Sequence, residues 1–127
     1  MRIHLFIAVL ALLLCAIVGR GDEPMVIKDS EAIQYVGKEV EVRGKVVSVT
    51  VSPLGTAFIN FGGEYPNQKF AGFIGFGSPL ATDQRRRSMI QGKTISITGK
   101  IQLRDGKPEI EIVSANQITG LDSQTER

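Results

Sequence analysis

Gly37-Lys38-Glu39-Val40-Glu41-Val42-Arg43-Gly44-Lys45-Val46 returns later in the chain as Gly92-Lys93-Thr94-Ile95-Ser96-Ile97-Thr98-Gly99-Lys100-Ile101. Both copies read Gly-Lys, then strict alternation with a β-branched residue at every second position, then Gly-Lys and one more aliphatic. A period of two puts Val40 and Val42, or Ile95 and Ile97, on one buried face with polar neighbours on the other, so each copy predicts a half-buried strand. Gly44 and Gly99 fall on the core-facing register, where a missing side chain lets a strand bend sharply. Two long, bent strands in a chain of 127 residues point to a small barrel.

Outward from these phrases the remaining elements follow. Upstream, residues 22–28 read as a flexible lead. Residues 31–36 then predict a short helix capped by Asp29 or Ser30, with Ile33 and Val36 inward and Gly37 as its stop. The first strand covers residues 39–51, with a one-residue slip at Val46-Val47 that reads as a β-bulge and passes the pattern to Val47, Val49 and Val51. Ser52-Pro53-Leu54-Gly55 turns the chain into a second strand over 56–61. A polar loop over 62–68 precedes a third strand over 69–75. Ser78-Pro79 opens a helix over 79–91 that buries Leu80, Met89 and Ile90. Its outer side shows Arg85, Arg86 and Arg87, with Asp83 paired to Arg87 at a spacing of four. Strand four is the second phrase. Asp105-Gly106 leads into strand five, residues 107–113, with Ile110 and Ile112 inward and Glu109 and Glu111 outward. Residues 120–127 read as a disordered tail.

Three strands, a helix and two strands is the order of the OB-fold, so the fold expected over 29–119 is all-β: a five-stranded Greek-key barrel with a helix between strands three and four and a short N-terminal helix. Strands one and four are neighbours in that topology, which places the two phrases side by side without any domain duplication, their glycines bending the strands at similar heights.

Residues 1–21 have a basic start, an apolar run over 3–18 and small residues at Gly19 and Gly21, the pattern of a secretory signal peptide cut after either glycine. The run is slightly short for a membrane span, and retention as an uncleaved anchor is the alternative. Cys15 lacks the small residue that a lipoprotein motif wants at Leu14. The sole cysteine, Cys15, and the sole histidine, His4, lie in this segment. The remainder therefore has no disulfide, thiol nucleophile, imidazole base or Cys/His metal site, and no cofactor is expected. Removal of Arg2 and Arg20 reduces 15 basic residues to 13, equal to the 13 acidic ones. The expected product is an exported, formally neutral monomer with no membrane span.

The chain resembles bacterial secreted OB-fold domains of the anticodon-binding-like type, which also occur beside thermonuclease-like domains. The resemblance covers roughly residues 33–118 and rests on Tyr35-Val36-Gly37-Lys38, Gly44-Lys45-Val46-Val47, Phe58-Ile59-Asn60-Phe61-Gly62 with Tyr65-Pro66-Asn67-Gln68 and Phe70, Gly92-Lys93 through Gly99-Lys100-Ile101, and Gly106-Lys107-Pro108-Glu109-Ile110. It implies a nucleic-acid-binding type of fold and supplies no nuclease.

Ligands of OB barrels lie across strands two and three. That places Phe58, Asn60, Lys69 and Phe73 on the candidate face, Tyr65 and Asn67 in the loop above it, and Arg104 and Lys107 at its flank, with Arg43 or Lys45 as further cations. Rings can stack bases while the cations hold phosphates. A barrel also needs large residues inside, and alternation separates Phe58 from Phe61 and Phe70 from Phe73, so half of these rings are core. Glu39 with Glu41 and Glu109 with Glu111 sit on an open sheet surface without the burial that would split their roles into acid and base, so no enzyme activity is expected. The reading is an exported, non-enzymatic binding module for single-stranded nucleic acid or a similar anionic oligomer. The alternatives are a periplasmic OB-fold protein that binds a small molecule or an envelope protein, and a structural interaction domain.

Overall fold

The computed structural model describes residues 23–82 and 84–120. The expected signal segment, the tail beyond Gly120, the Leu80 side chain and the Asp83 partner of Arg87 lie outside what it describes. Strands dominate. In chain order they are β1 (Met25–Lys28), β2 (Glu39–Val51), β3 (Ala57–Phe61), β4 (Phe70–Ile74), β5 (Thr94–Lys100), β6 (Gln102–Arg104), β7 (Lys107–Ile112) and β8 (Ile118–Thr119). A 3₁₀ helix, Asp29–Tyr35, joins β1 to β2, and helices α1 (Pro79–Thr82) and α2 (Gln84–Ile90) lie on either side of Asp83.

The two matched phrases pair with each other as β2 and β5, antiparallel from Glu39 opposite Lys100 to Lys45 opposite Thr94. Val42 and Ile97 face each other fully buried. Antiparallel pairing corrects the idea that the two glycines bend the strands at one height: Gly44 stands opposite Ile95 and Gly99 opposite Val40. Each makes room for a different neighbour. A Cβ at Gly99 would lie 2.5 Å from Ile110 Cγ2, and one at Gly44 would lie 3.0 Å from Asp29 Cγ and 3.1 Å from Phe61 Cδ2.

The slip at Val46-Val47 is present as a register shift between Val46 and Ser48, beyond which β2 continues antiparallel to β3. Strand β4 runs antiparallel to β3, β7 returns parallel to β4, and β6 forms a hairpin with β7. The sheet order is β6-β7-β4-β3-β2-β5-β8, with β1 added to β2. Its segments β5 and β6 are consecutive in the chain, parted by Ile101 alone. That residue is buried, donates its N–H to the Lys38 carbonyl (3.0 Å) and accepts from the Gly37 N–H (2.8 Å).

Eight strands replace the expected five. The supposed flexible lead contains β1, which runs parallel to β2 and buries Ile27. The second phrase breaks at Ile101 because its partner changes there from β2 to β7, and β8 covers the outer edge of β5. The N-terminal helix also differs in its inward face. The expected pair and the observed one share the three-residue repeat of a 3₁₀ turn and differ in phase by one residue: Ala32 is fully buried and Tyr35 packs on the core, while Ile33 is 51% exposed and Val36 38%. Asp29 and Ser30 lie inside the helix rather than ahead of it; the residue before its first turn is Lys28, whose N–H donates to the Glu31 carboxylate (2.8 Å). In α2, Ile90 is buried and Met89 is exposed.

Candidate ligand-binding face

Alternation on three adjacent strands divides their side chains cleanly. Ala57, Ile59 and Phe61 of β3, Phe70 and Ile74 of β4, and Ile110 and Ile112 of β7 are buried in the core. The opposite face carries Phe58 and Asn60, Ala71 and Phe73, and Glu109 and Glu111. Register aligns these in two rows, Ser48-Asn60-Ala71-Glu109 and Thr50-Phe58-Phe73-Glu111. β-Sheet pairing alone thus brings an aromatic row beside a polar one.

The aromatic row is continuous with the loop over residues 62–69. The Phe58 ring lies 5.2 Å from that of Phe73 and 5.5 Å from that of Tyr65, both tilted, within the range in which aromatic pairs attract. Tyr65, 51% exposed and followed by a cis peptide bond to Pro66, brings the loop to the sheet. From the β6–β7 hairpin the Arg104 guanidinium carbon sits over the Phe73 ring, 4.2 Å from its centroid, a cation–π contact. Arg104 Nε also donates to Glu109 Oε1 at 2.7 Å.

The polar row holds a buried carboxamide. Asn60 is fully buried although it stands on the outer face, and its Nδ2 donates to Ser48 Oγ (3.2 Å) and Thr50 Oγ1 (2.9 Å). Its Oδ1 meets no donor among the described residues. Gln68 Oε1, at the far end of the loop, is in the same condition.

Five of the eight residues singled out from the sequence, Phe58, Asn60, Tyr65, Phe73 and Arg104, therefore gather on one face. Lys107 stands opposite Arg104 in the hairpin. The Lys69 N–H donates to the Phe61 carbonyl (2.8 Å), and the β4–β7 register continued by two residues sets Lys69 level with Lys107. Its stem crosses Gly62, where a Cβ would come within 2.5 Å of Lys69 Cγ; the φ of +75° there is likewise a glycine conformation. Asn67 is exposed in the loop, its carbonyl against Gly63. Arg43 and Lys45 do not reach this face: they lie on the stretch of β2 paired to β5, and Arg43 Nε donates to Ser96 Oγ (3.1 Å).

Glu109 is the residue that sequence reasoning misplaced. It points outward by alternation, yet its side chain is only 9% exposed, because Arg104 lies against it. The two-residue Asp105-Gly106 turn carried the signal: it sets Arg104 opposite Lys107, which makes Glu109 a diagonal neighbour of Arg104. The face is electrostatically mixed, with Lys69, Arg104 and Lys107 at one end and Glu109 and Glu111 along β7.

Elsewhere, a cleft of about 420 Å³ opens beside β1, lined by Glu23, Pro24, Met25, Tyr35, Lys38, Glu39 and Val40. None of the sequence-selected residues borders it. Among the described residues no group of three or more His, Cys, Asp or Glu side chains is placed to hold a metal ion. No helix among them is long and apolar enough to cross a membrane.

No family model and no curated protein matches the sequence. Among solved structures, a protein assigned as an aspartyl-tRNA synthetase from Leishmania major Friedlin is similar to this chain with a TM-score of 0.49 and 10% identity, over 79% of this chain and 21% of that one.

Proposed function

We propose that residues 29–119 form an OB-type barrel and that the chain is an exported, non-enzymatic binding module for single-stranded nucleic acid or a similar anionic oligomer. The barrel reading is supported by the antiparallel run β2-β3-β4, the parallel return of β7 along β4, and the single residue between β5 and β6, which makes those two segments one bent strand bridging β2 and β7. Export is supported by the basic, apolar and small-residue pattern of residues 1–21. The non-enzymatic reading is supported by the lack of Cys and His after residue 21.

The observation that carries the ligand class is the convergence of three rings and a guanidinium on one outer sheet face: Phe58, Tyr65 and Phe73 with Arg104. Stacking surfaces beside cations suit bases and phosphates together, with little dependence on sequence. Fluorescence anisotropy with a labelled oligonucleotide at low and moderate salt tests it. Binding that weakens with salt is the expected result; none at low salt, with the protein demonstrably folded, removes nucleic acid as the ligand.

A second reading has its own support. The formal charge balance after residue 21 and the two glutamates of β7 on the same face favour a small molecule or an envelope protein over a polyanion. Nonspecific nucleic-acid affinity rests largely on phosphate neutralisation, and this face offers three cations. Failure of the oligonucleotide titration puts this reading ahead.

A further inference from the structure

The geometry points to Arg104 as a stacking platform for a nucleobase, held in place by Glu109, rather than a bare counter-charge for phosphate. This rests on the nucleic-acid reading above and assigns the roles within that site. Three observations carry it. The guanidinium is already over the Phe73 ring, 4.2 Å from the centroid, and a base laid on its far side would form a third layer. The Arg104 side chain is half exposed, which leaves its outer side open to a ligand, and its Nη atoms meet no acceptor among the described residues. Among the described residues the guanidinium is fixed by one hydrogen bond, from Nε to Glu109 Oε1 at 2.7 Å, a short charge-assisted contact to a carboxylate that is nearly buried.

A nearly buried carboxylate is the wrong neighbour for a group whose whole task is to attract phosphate, since it cancels the charge that does the attracting. It is the right neighbour for a group whose plane must be held. Glu109 is therefore a positioning residue, and the two roles make opposite demands on its substitution. If Arg104 acts only through charge, removing Glu109's charge strengthens binding of any anionic oligomer. If Arg104 acts through its plane, removing the acceptor weakens binding of oligomers that carry bases.

The test compares a labelled oligothymidylate with an abasic oligomer of the same length, which keeps the phosphates and lacks the rings. Arg104→Lys keeps the charge on an exposed position and removes the plane; the expected result is an affinity about tenfold lower for oligothymidylate, within the range of one stacked base, and unchanged within about twofold for the abasic oligomer at the same salt slope. Glu109→Leu, checked for folding by thermal melting, weakens oligothymidylate binding although it deletes a negative charge. Glu109→Gln retains a carbonyl acceptor for Nε and restores binding to at least the wild-type level. Equal losses for both oligomers in Arg104→Lys, no loss for either, or tighter binding in both Glu109 variants each overturns the platform while leaving the nucleic-acid reading in place. Absence of wild-type binding to either oligomer overturns the nucleic-acid reading and the platform with it.

Discussion

Two phenylalanine pairs stand back to back on the same two strands. Phe61 and Phe70 meet on the inner side of β3 and β4 with centroids 5.4 Å apart and an interplanar angle of 45°; Phe58 and Phe73 meet on the outer side at 5.2 Å and 47°. As ring pairs they are nearly the same object. Their surroundings are not. The inner pair is fully buried among aliphatic side chains, whereas the outer pair is half-buried and bordered by Tyr65, Arg104 and the polar row of Asn60 and Glu109. Ring geometry therefore does not distinguish a core contact from one on an outer face; the company kept by the rings does, and under the proposed function the two pairs make opposite predictions when cut.

The largest effect belongs inside. Phe61→Ala deletes a fully buried ring and is expected to cost about 3–5 kcal/mol of stability, read by chemical denaturation, with any change in ligand affinity following only from unfolding. Outside, Phe58→Ala removes two ring contacts and is expected to cost about 1–2 kcal/mol of stability, while oligonucleotide affinity falls by about 1–3 kcal/mol for the lost stacking surface. A Phe58→Ala protein as unstable as Phe61→Ala, with affinity intact, would make the outer pair a second core and break the contrast.

Asn60 sharpens it in the other direction. Its Oδ1 is buried without a donor, a cost that an apolar side chain of like volume removes, while Ser48 and Thr50 are only partly buried and keep access to water. Asn60→Leu is therefore expected to change stability by no more than about 1 kcal/mol in either direction, measured by the same denaturation. A loss near that of Phe61→Ala would show the carboxamide to be structural.

How much of this could be read in the sequence depends on whether the deciding contact is local. The β2–β5 pairing, the bulge at Val46-Val47 and the division of the four phenylalanines between two faces follow from alternation and its slip, which are written in consecutive residues. Strand β1 was hidden because Met25-Val26-Ile27-Lys28 shows no alternation and becomes a strand only by lying parallel to β2, across an intervening helix. The inward face of that helix was missed because Ile33 and Val36 have the same three-residue spacing as Ala32 and Tyr35, so apolarity favoured the larger aliphatic pair and nothing local set the phase. In the site, alternation put Phe58, Asn60 and Phe73 outward, but the burial of Glu109 depends on a diagonal contact with Arg104, and the remoteness of Arg43 depends on which half of β2 pairs with β5. Periodicity assigns a side chain to a face; it does not say what covers it.

The smallest expected effects lie in the loop and at its end, where the comparison is between a ring and a charge on the same exposed rim. Tyr65→Ala and Lys69→Ala both remove side chains from exposed positions: Lys69→Ala should leave stability within about 0.5 kcal/mol of the parent, and Tyr65→Ala, which loses one ring contact, should cost about 0.5–1 kcal/mol. They should differ in how they weaken binding. With Lys69 and Lys107 as the phosphate contacts on this face and the Arg104 charge offset by Glu109, the salt dependence of single-strand affinity should have a slope of about 1.4, at roughly 0.7 per phosphate contact. Lys69→Ala removes one such contact and lowers the slope to about 0.7, with the deficit in affinity shrinking as salt rises. Tyr65→Ala leaves the slope unchanged and lowers affinity by a constant factor at every salt concentration, because stacking releases no counterions. A titration series at several salt concentrations separates the two: parallel lines for Tyr65→Ala and converging lines for Lys69→Ala are expected. Parallel lines for both would mean that Lys69 holds no phosphate and that its stem, laid across Gly62, serves the loop alone.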